Sequence, residues 1–221
     1  MPIRGYKRKL NKLVQKIENG LKNFNTSYGD GPHLYFYRKV LALRKRNSSI
    51  KIFIKDDYCM EMLYAALVSW DMNSRGARMH NFKTFCKNIR KTQKQLIKIE
   101  NAIPKVRIRN MNNHIMNEII KLLLNAYDNL LLMDSEAQMV SNSKCLHFLF
   151  PKVCIPMDRK NTMQKLYDNS GVSRNKFVEV LRFGYEVLSR IDSPNRFQDN
   201  KWNTCPTKLV DNAIILLPQK K

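Results

Sequence analysis

Val140-Ser-Asn-Ser-Lys144-Cys-Leu-His-Phe-Leu-Phe150-Pro-Lys-Val-Cys154-Ile-Pro156-Met-Asp158-Arg159 is the stretch on which the architecture turns. Ser141-Asn-Ser143 has the composition of a turn. Lys144–Phe150 reads as a short apolar helix stopped at Pro151, which cannot continue it. Pro156 holds its predecessor in extended backbone, and Asp158 has the side chain of an N-cap for a helix that follows. The stretch thus predicts two short helices joined by a turn, an extended crossing, and a third helix start.

Working outward, helical periodicity recurs on both sides. Toward the N-terminus, Asn113 opens a long helix through Ile115, Ile119, Leu122, Leu123, Tyr127, Leu130 and Leu131, apolar enough to be central and buried. Asp134–Val140 reads as a further helix leading into the turn. Phe82, Phe85, Cys86, Ile89, Leu96 and Ile97 mark one more, closed by Pro104 and the basic connector Val106-Arg-Ile-Arg109. Asp56 or Asp57 caps a helix carrying Met60, Leu63, Tyr64, Leu67 and Val68, which Asn73-Ser-Arg-Gly-Ala77 breaks. Ile50–Ile54 alternates and suits a short strand or an extended lead-in. His33–Arg46 is helical, and Leu10, Leu13, Val14, Ile17, Leu21 and Phe24 form one face of the first helix. Toward the C-terminus, Ser173 caps a helix through Phe177, Val180, Leu181, Tyr185 and Leu188, and Pro206–Leu216 forms the last. The expectation is an all-α chain.

At 221 residues with 43% hydrophobic content the chain has material for one sizeable core. Its apolar runs, such as Ala213–Leu217, are too short for a membrane span, and no apolar segment follows the basic N-terminus as in a secretory signal. Five dispersed cysteines without a C-x-x-C pair fit a reducing compartment: the cytoplasm, with the nucleoid or the nucleus as the place of work. Charge narrows the function further. Forty Lys and Arg oppose 18 Asp and Glu, a net +22. Residues 1–50 hold twelve bases against two acids and residues 51–110 thirteen against five, whereas 111–170 balance six against six. Such an excess, concentrated in one half, points to a polyanionic partner, or to a Lys-rich proteome with solvated faces. Arg44-Lys45-Arg46, Lys91, Lys94, Lys98, Arg107 and Arg109 are candidates for phosphate contact.

Nucleotide-binding glycine loops and H-E-x-x-H are absent, and His33, His80, His114 and His147 are too scattered to write a local metal site. Lys144 is the exception to this silence. In the first turn of a helix, and partly buried, its ammonium is disfavoured both by the helix dipole and by desolvation. A neutral lysine amine is a nucleophile for Schiff-base chemistry. Fourteen residues on, Asp158 supplies a carboxylate suited to a reaction passing through a cationic sugar. The plain alternative is a solvated Lys144 and an Asp158 that only caps a helix. His147, one helical turn beyond Lys144, either tunes it or is a satisfied core histidine.

The same residues resemble the helix-hairpin-helix superfamily of base-excision DNA glycosylases, which includes endonuclease III and the 8-oxoguanine glycosylases. Lys144 matches the lysine of the bifunctional members, and Pro156-Met-Asp158 their Pro-Val-Asp. Leu63–Ala77 resembles the helix and loop that fill the gap left by a flipped base, placing Trp70, Asp71 and Asn73 in that loop. Val140 and Asn142 stand where that superfamily has hairpin glycines, so Asn142 would take a left-handed conformation.

The resemblance implies two helical lobes with a cleft between them: residues 57–142 as one, residues 143–221 as the other, and the basic helices of 1–56 packed on the second. It implies a damaged-base glycosylase, either monofunctional or joined to β-lyase activity through a lysine Schiff base, with Lys144 and Asp158 catalytic. Trp70, Asp71, Asn73, Arg75, Arg78, Asn142, Ser143, Arg159 and Lys160 would contact duplex DNA. A monomer without metal or organic cofactor suffices for that chemistry. From a different class, a non-catalytic nucleic-acid-binding protein of the mobile-element or defence kind fits the charge equally well.

Overall fold

A computed structural model describes residues 2–21, 24–47, 49–72, 78–103, 112–135 and 138–218. Twelve α-helices follow one another among them: α1 Tyr6–Glu18, α2 Phe24–Ser27, α3 Pro32–Arg46, α4 Ile50–Phe53, α5 Asp57–Leu67, α6 Phe82–Lys91, α7 Gln93–Ala102, α8 Asn113–Asn129, α9 Met139–Leu149, α10 Gln164–Tyr167, α11 Arg174–Ser189 and α12 Pro206–Ile215. No strand occurs among the described residues, only one isolated antiparallel bridge between Met79 and Met133. The chain is all-α.

The ends of the chain are joined through its first helix. Leu10, Leu13 and Ile17 are fully buried where α1 packs on α11 and α12. Further on, α3 lies across α5 and α9, and α8 contacts α7, α9 and α11. Caps read from the sequence are formed: Asp56 accepts from Cys59 N (2.8 Å), Ser173 from Lys176 N (3.2 Å), and Asp158 from Asn161 N. No helix of the described residues is long and apolar enough to cross a membrane.

Several local expectations are corrected. Ile50–Phe53 is a helical turn and not a strand. Ile50, Phe53 and Ile54 are fully buried at helical spacing while Ile52 is exposed, and the Glu100 carboxylate accepts from Ile50 N at 2.8 and 3.0 Å. The segment 82–102 is two helices broken at Thr92, whose hydroxyl bonds Asn88 O at 3.0 Å. α8 is one-sided and not buried throughout: Ile119, Ile120, Leu123 and Ala126 face the core, whereas Leu131 just beyond it is 54% exposed.

The largest correction falls on the opening stretch. Residues 139–149 form one unbroken α-helix, so the turn at Ser141-Asn-Ser143 does not exist and no hairpin is formed there. The helix-breaking tendency of Ser and Asn comes from side chains competing for nearby backbone. Here those side chains are satisfied without breaking the helix. Ser141 Oγ and Ser143 Oγ donate to carbonyls three residues back, Gln138 O (2.9 Å) and Val140 O (3.0 Å). Asn142 Nδ2 donates to Tyr127 O (2.9 Å) and Leu130 O (2.8 Å), filling two of the carbonyls that the end of α8 leaves open. Lys144 is therefore the sixth residue of an 11-residue helix, clear of its positive end.

Candidate functional site

Four segments, with α9 that carries it among them, meet at Lys144. α5 runs into a kinked extension, Val68–Met72, in which Trp70 leaves helical backbone and Asp71 sits in the left-handed region at φ 62°. That kink aims the Trp70 carbonyl at Lys144, whose Nζ donates to it at 2.8 Å. From the other side comes the extended crossing 153–158, laid against α11 at Gly184. A Cβ there would meet Ile155 Cδ1 at 2.0 Å, so a larger residue would force the Ile155 side chain to shift. Ser143 Oγ accepts from Met157 N (3.2 Å), and so ties α9 to the crossing one residue before Asp158. The fourth segment is α12, which supplies Lys208 and Asp211.

Aromatic rings wall the site. Trp70 donates through Nε1 to His33 O (3.2 Å) and packs its ring on Phe148 (4.8 Å between centroids) and Tyr37 (5.1 Å). Trp202 stands 6.4 Å from Trp70 and donates to Tyr28 O at 2.8 Å. Lys144 Nζ lies 5.7 Å from the Trp70 centroid. Lys208 Nζ lies 5.2 Å from the same ring and 5.4 Å from Trp202, while forming an ion pair with Asp211.

Burial is the first cause of the electrostatics here. Lys144 is 9% exposed, and desolvation draws its pKa below the ordinary 10.5. Asp158, then Asp211 and Asp71, act in the opposite direction, and the Lys208 charge adds to the lowering. The outcome anticipated for Lys144 is present, but burial produces it, since the helix end is too far away. Asp211 is pushed up by its own burial, against the pull of Lys208. Beneath the site His147 is fully buried, and its pKa is pushed down to about 3 by desolvation. Its Nδ1 faces Cys154 O at 2.8 Å, an acceptor only, so Nδ1 carries the proton and Nε2 accepts from Tyr37 OH at 3.0 Å. His147 is a satisfied core histidine.

Of the residues singled out in the sequence, Lys144 and Trp70 touch, and Asp158 and Asp71 lie near enough for their charges to act on Lys144, while both Asp158 carboxylate oxygens accept from Asn161, one from its N and one from its Nδ2. Arg159 and Lys160 follow Asp158 on an exposed π-helical turn, and Arg78 is exposed next to the Met79–Met133 bridge. Asn73 and Arg75, like Arg107 and Arg109, lie outside the described residues. Asn142 and Ser143 are 1% and 0% exposed with their polar atoms engaged inside the fold, so neither is offered to a nucleic acid. Arg44 is also structural: it pairs with Glu100 and donates to Leu149 O (3.2 Å). Lys45, Arg46, Lys91, Lys94 and Lys98 remain exposed.

No family model matches the chain, and neither the curated proteins nor the solved structures contain a match. The site must speak for itself. Three of its members, Trp202, Lys208 and Asp211, carry no motif in the sequence. The one signal was a Lys and an Asp three apart in the last helix, a spacing that puts both on one face. Among the described residues no three His, Cys, Asp or Glu side chains are grouped as metal ligands.

Proposed function

We propose that this chain acts on DNA as a base-excision glycosylase with β-lyase capacity, distantly related to the helix-hairpin-helix glycosylases and working without their glycine hairpin. One observation carries this reading: a buried lysine whose ammonium form is disfavoured by desolvation lies against Trp70, within reach of the Asp158 charge. In this reading the helices divide into two lobes, and a flipped nucleotide enters by parting Lys144 from the Trp70 turn, to which it is bonded in the free protein. The Lys144 lone pair adds to the anomeric carbon of a flipped nucleotide as the bond to the base breaks. The electron pair of that bond leaves with the base, which takes up a proton. Sugar-ring opening then gives an imine between Nζ and that carbon, from which loss of a neighbouring proton expels the 3′ phosphate. The Asp158 carboxylate stabilises the cationic sugar as it forms. Trp70 stacks or wedges at the lesion, and the exposed bases of residues 1–110 hold phosphates.

The test is borohydride trapping on duplexes bearing an abasic site or a panel of damaged bases. Wild type is expected to be trapped, Lys144→Gln to lose trapping while retaining salt-sensitive binding, and Asp158→Asn to lose base excision far more than binding. Trapping that survives Lys144→Gln assigns the chemistry to another amine and removes Lys144 from the mechanism. A second reading has its own observation. Lys144 Nζ is already bonded to Trp70 O, which suits a lysine that merely fastens α9 to the kinked turn in a non-catalytic nucleic-acid-binding protein. DNA binding at low salt with neither trapping nor excision favours that reading, and no DNA binding at low salt removes both.

A further inference from the structure

Away from Lys144, α6 and α7 carry their lysines in one exposed row. Phe85, Ile89, Thr92, Leu96 and Ile99 are buried at alternating spacings of four and three, so one inner face runs through the break at Thr92. Lys83, Lys87, Lys91, Lys94 and Lys98, also three or four apart, stand on the outer side, and all five are exposed. Residues at such spacings are neighbours on a helix surface, and the row extends about 22 Å at a rise of about 1.5 Å per residue. Residues 78–103 hold seven bases and a single acid, Glu100, whose carboxylate is engaged by Arg44 and by Ile50 N (2.8 Å). Arg90 is likewise engaged, by Asp57 (2.7 Å) and Ile54 O (2.9 Å). Ion pairs among the described residues use other cations, such as Arg174 and Arg190, and none of these five lysines.

Like charges at this spacing weaken a helix, and no carboxylate of the two helices offsets them. On α1 and the residues before it, by contrast, carboxylates stand among the cations. Arg4 pairs with Asp168 (3.7 Å), while Glu179 and Glu186 accept from Ile3 N (2.7 Å) and Tyr6 OH (2.5 Å). We propose that the outer face of α6 and α7 is a docking surface for the sugar–phosphate backbone of duplex DNA, held without regard to base sequence. A strand advances about 3.4 Å along the duplex per phosphate, so about six of its phosphates fall within the length of the row. The helices fix the five lysine stems along one line, which suits a stiff polyanion. Neither helix exposes an aromatic ring, since Phe85 is fully buried and Phe82 packs on the core, so this face offers a single strand nothing to stack on. No residue of the row belongs to the Lys144 site, and the surface stands whether or not Lys144 is a nucleophile.

The experiment uses the full chain and a fluorescein-labelled, undamaged duplex of about 25 base pairs, with anisotropy giving Kd between about 50 and 200 mM NaCl. Five lysine–phosphate contacts make the slope of log Kd against log [NaCl] at least about 4.5. Lys87→Gln, Lys91→Gln and Lys94→Gln together are expected to lower that slope by about 2.7, and glutamine keeps the helices because its propensity matches that of lysine. Arginine at the same three positions is expected to keep the wild-type slope. Lys121→Gln, Lys152→Gln and Arg196→Gln together remove as much charge from exposed positions elsewhere, and are expected to leave the slope unchanged. Equal losses in the two glutamine triples overturn the proposal, as does an unchanged slope in the first. A single strand of the same length bound as tightly as the duplex overturns it too. The failures are separable: borohydride trapping through Lys144 with equal losses in both triples keeps the glycosylase and removes this surface, whereas a loss confined to α6 and α7 without trapping does the reverse.

Discussion

Asn142 is the residue at which a hairpin and a continuous helix make opposite demands. In a left-handed turn, glycine equals or improves on asparagine and alanine is strained. In α9 the asparagine side chain instead fills Tyr127 O and Leu130 O, with Leu130 fully buried. Asn142→Ala keeps the helix and leaves two carbonyls without their donor. At about 1 kcal/mol for each, the loss is about 2 kcal/mol. Asn142→Gly adds about 1 kcal/mol for glycine in a helix interior, making about 3 kcal/mol. Asn142→Asp, of the same shape, turns a carboxylate toward the two carbonyls and is expected to be worse than alanine. Urea unfolding with an unchanged slope measures these differences, and in a domain of this size each kcal/mol lowers the melting temperature by about 2–4 °C. The order wild type, Ala, Gly from most to least stable is expected. A glycine variant as stable as wild type, or more stable than alanine, would refute the argument and restore the turn.

Further tests concern the buried ionisable groups. The unfolded chain protonates Lys144 below its ordinary 10.5 and the folded chain only at lower pH, so wild type is expected to gain stability relative to Lys144→Met as pH rises through that window. Urea midpoints at pH 7, 9 and 10.5 check it, and a pH-independent gap would contradict it. His147 behaves similarly at acid pH. Its folded pKa of about 3 lies below the ordinary 6.5, so stability present above pH 6.5 is lost as pH falls toward 3, by up to about 1.4 kcal/mol per unit. His147→Gln is expected to be weaker at pH 7 yet to lack this part of the acid slope, as acid titration followed by circular dichroism will show. All five cysteines are buried, with the Cys59 thiol pushed up to about 11, so Ellman's reagent is expected to titrate none in the native protein and five in denaturant.

What could be read from the sequence was whatever rests on local chemistry. Caps at Asp56, Asp158 and Ser173, the stops before Pro151, and the buried stripe Leu10, Leu13, Ile17 follow from residues within a few positions of one another. That Asp158 would cap a helix was legible too: its carboxylate accepts from Asn161 N and Asn161 Nδ2, whereas Lys144 Nζ bonds Trp70 O. What misled was composition read without partners. Ser141-Asn-Ser143 has the residues of a turn, and in isolation those side chains would bond their own backbone. In the folded chain the end of α8 offers Asn142 two carbonyls, which no window around residue 142 contains.

The sequence by itself therefore determined an all-α chain, the helix starts capped by Asp56, Asp158 and Ser173, and the excess of positive charge, since periodicity, capping and charge count are properties of neighbouring residues. Tertiary structure alone decided that α9 is unbroken, that Lys144 owes its perturbation to burial and not to a helix end, and that Trp202, Lys208 and Asp211 complete its site. Those depend on desolvation and on contacts across 74 residues between Trp70 and Lys144, and a low dielectric around a side chain is made by whatever the fold brings against it.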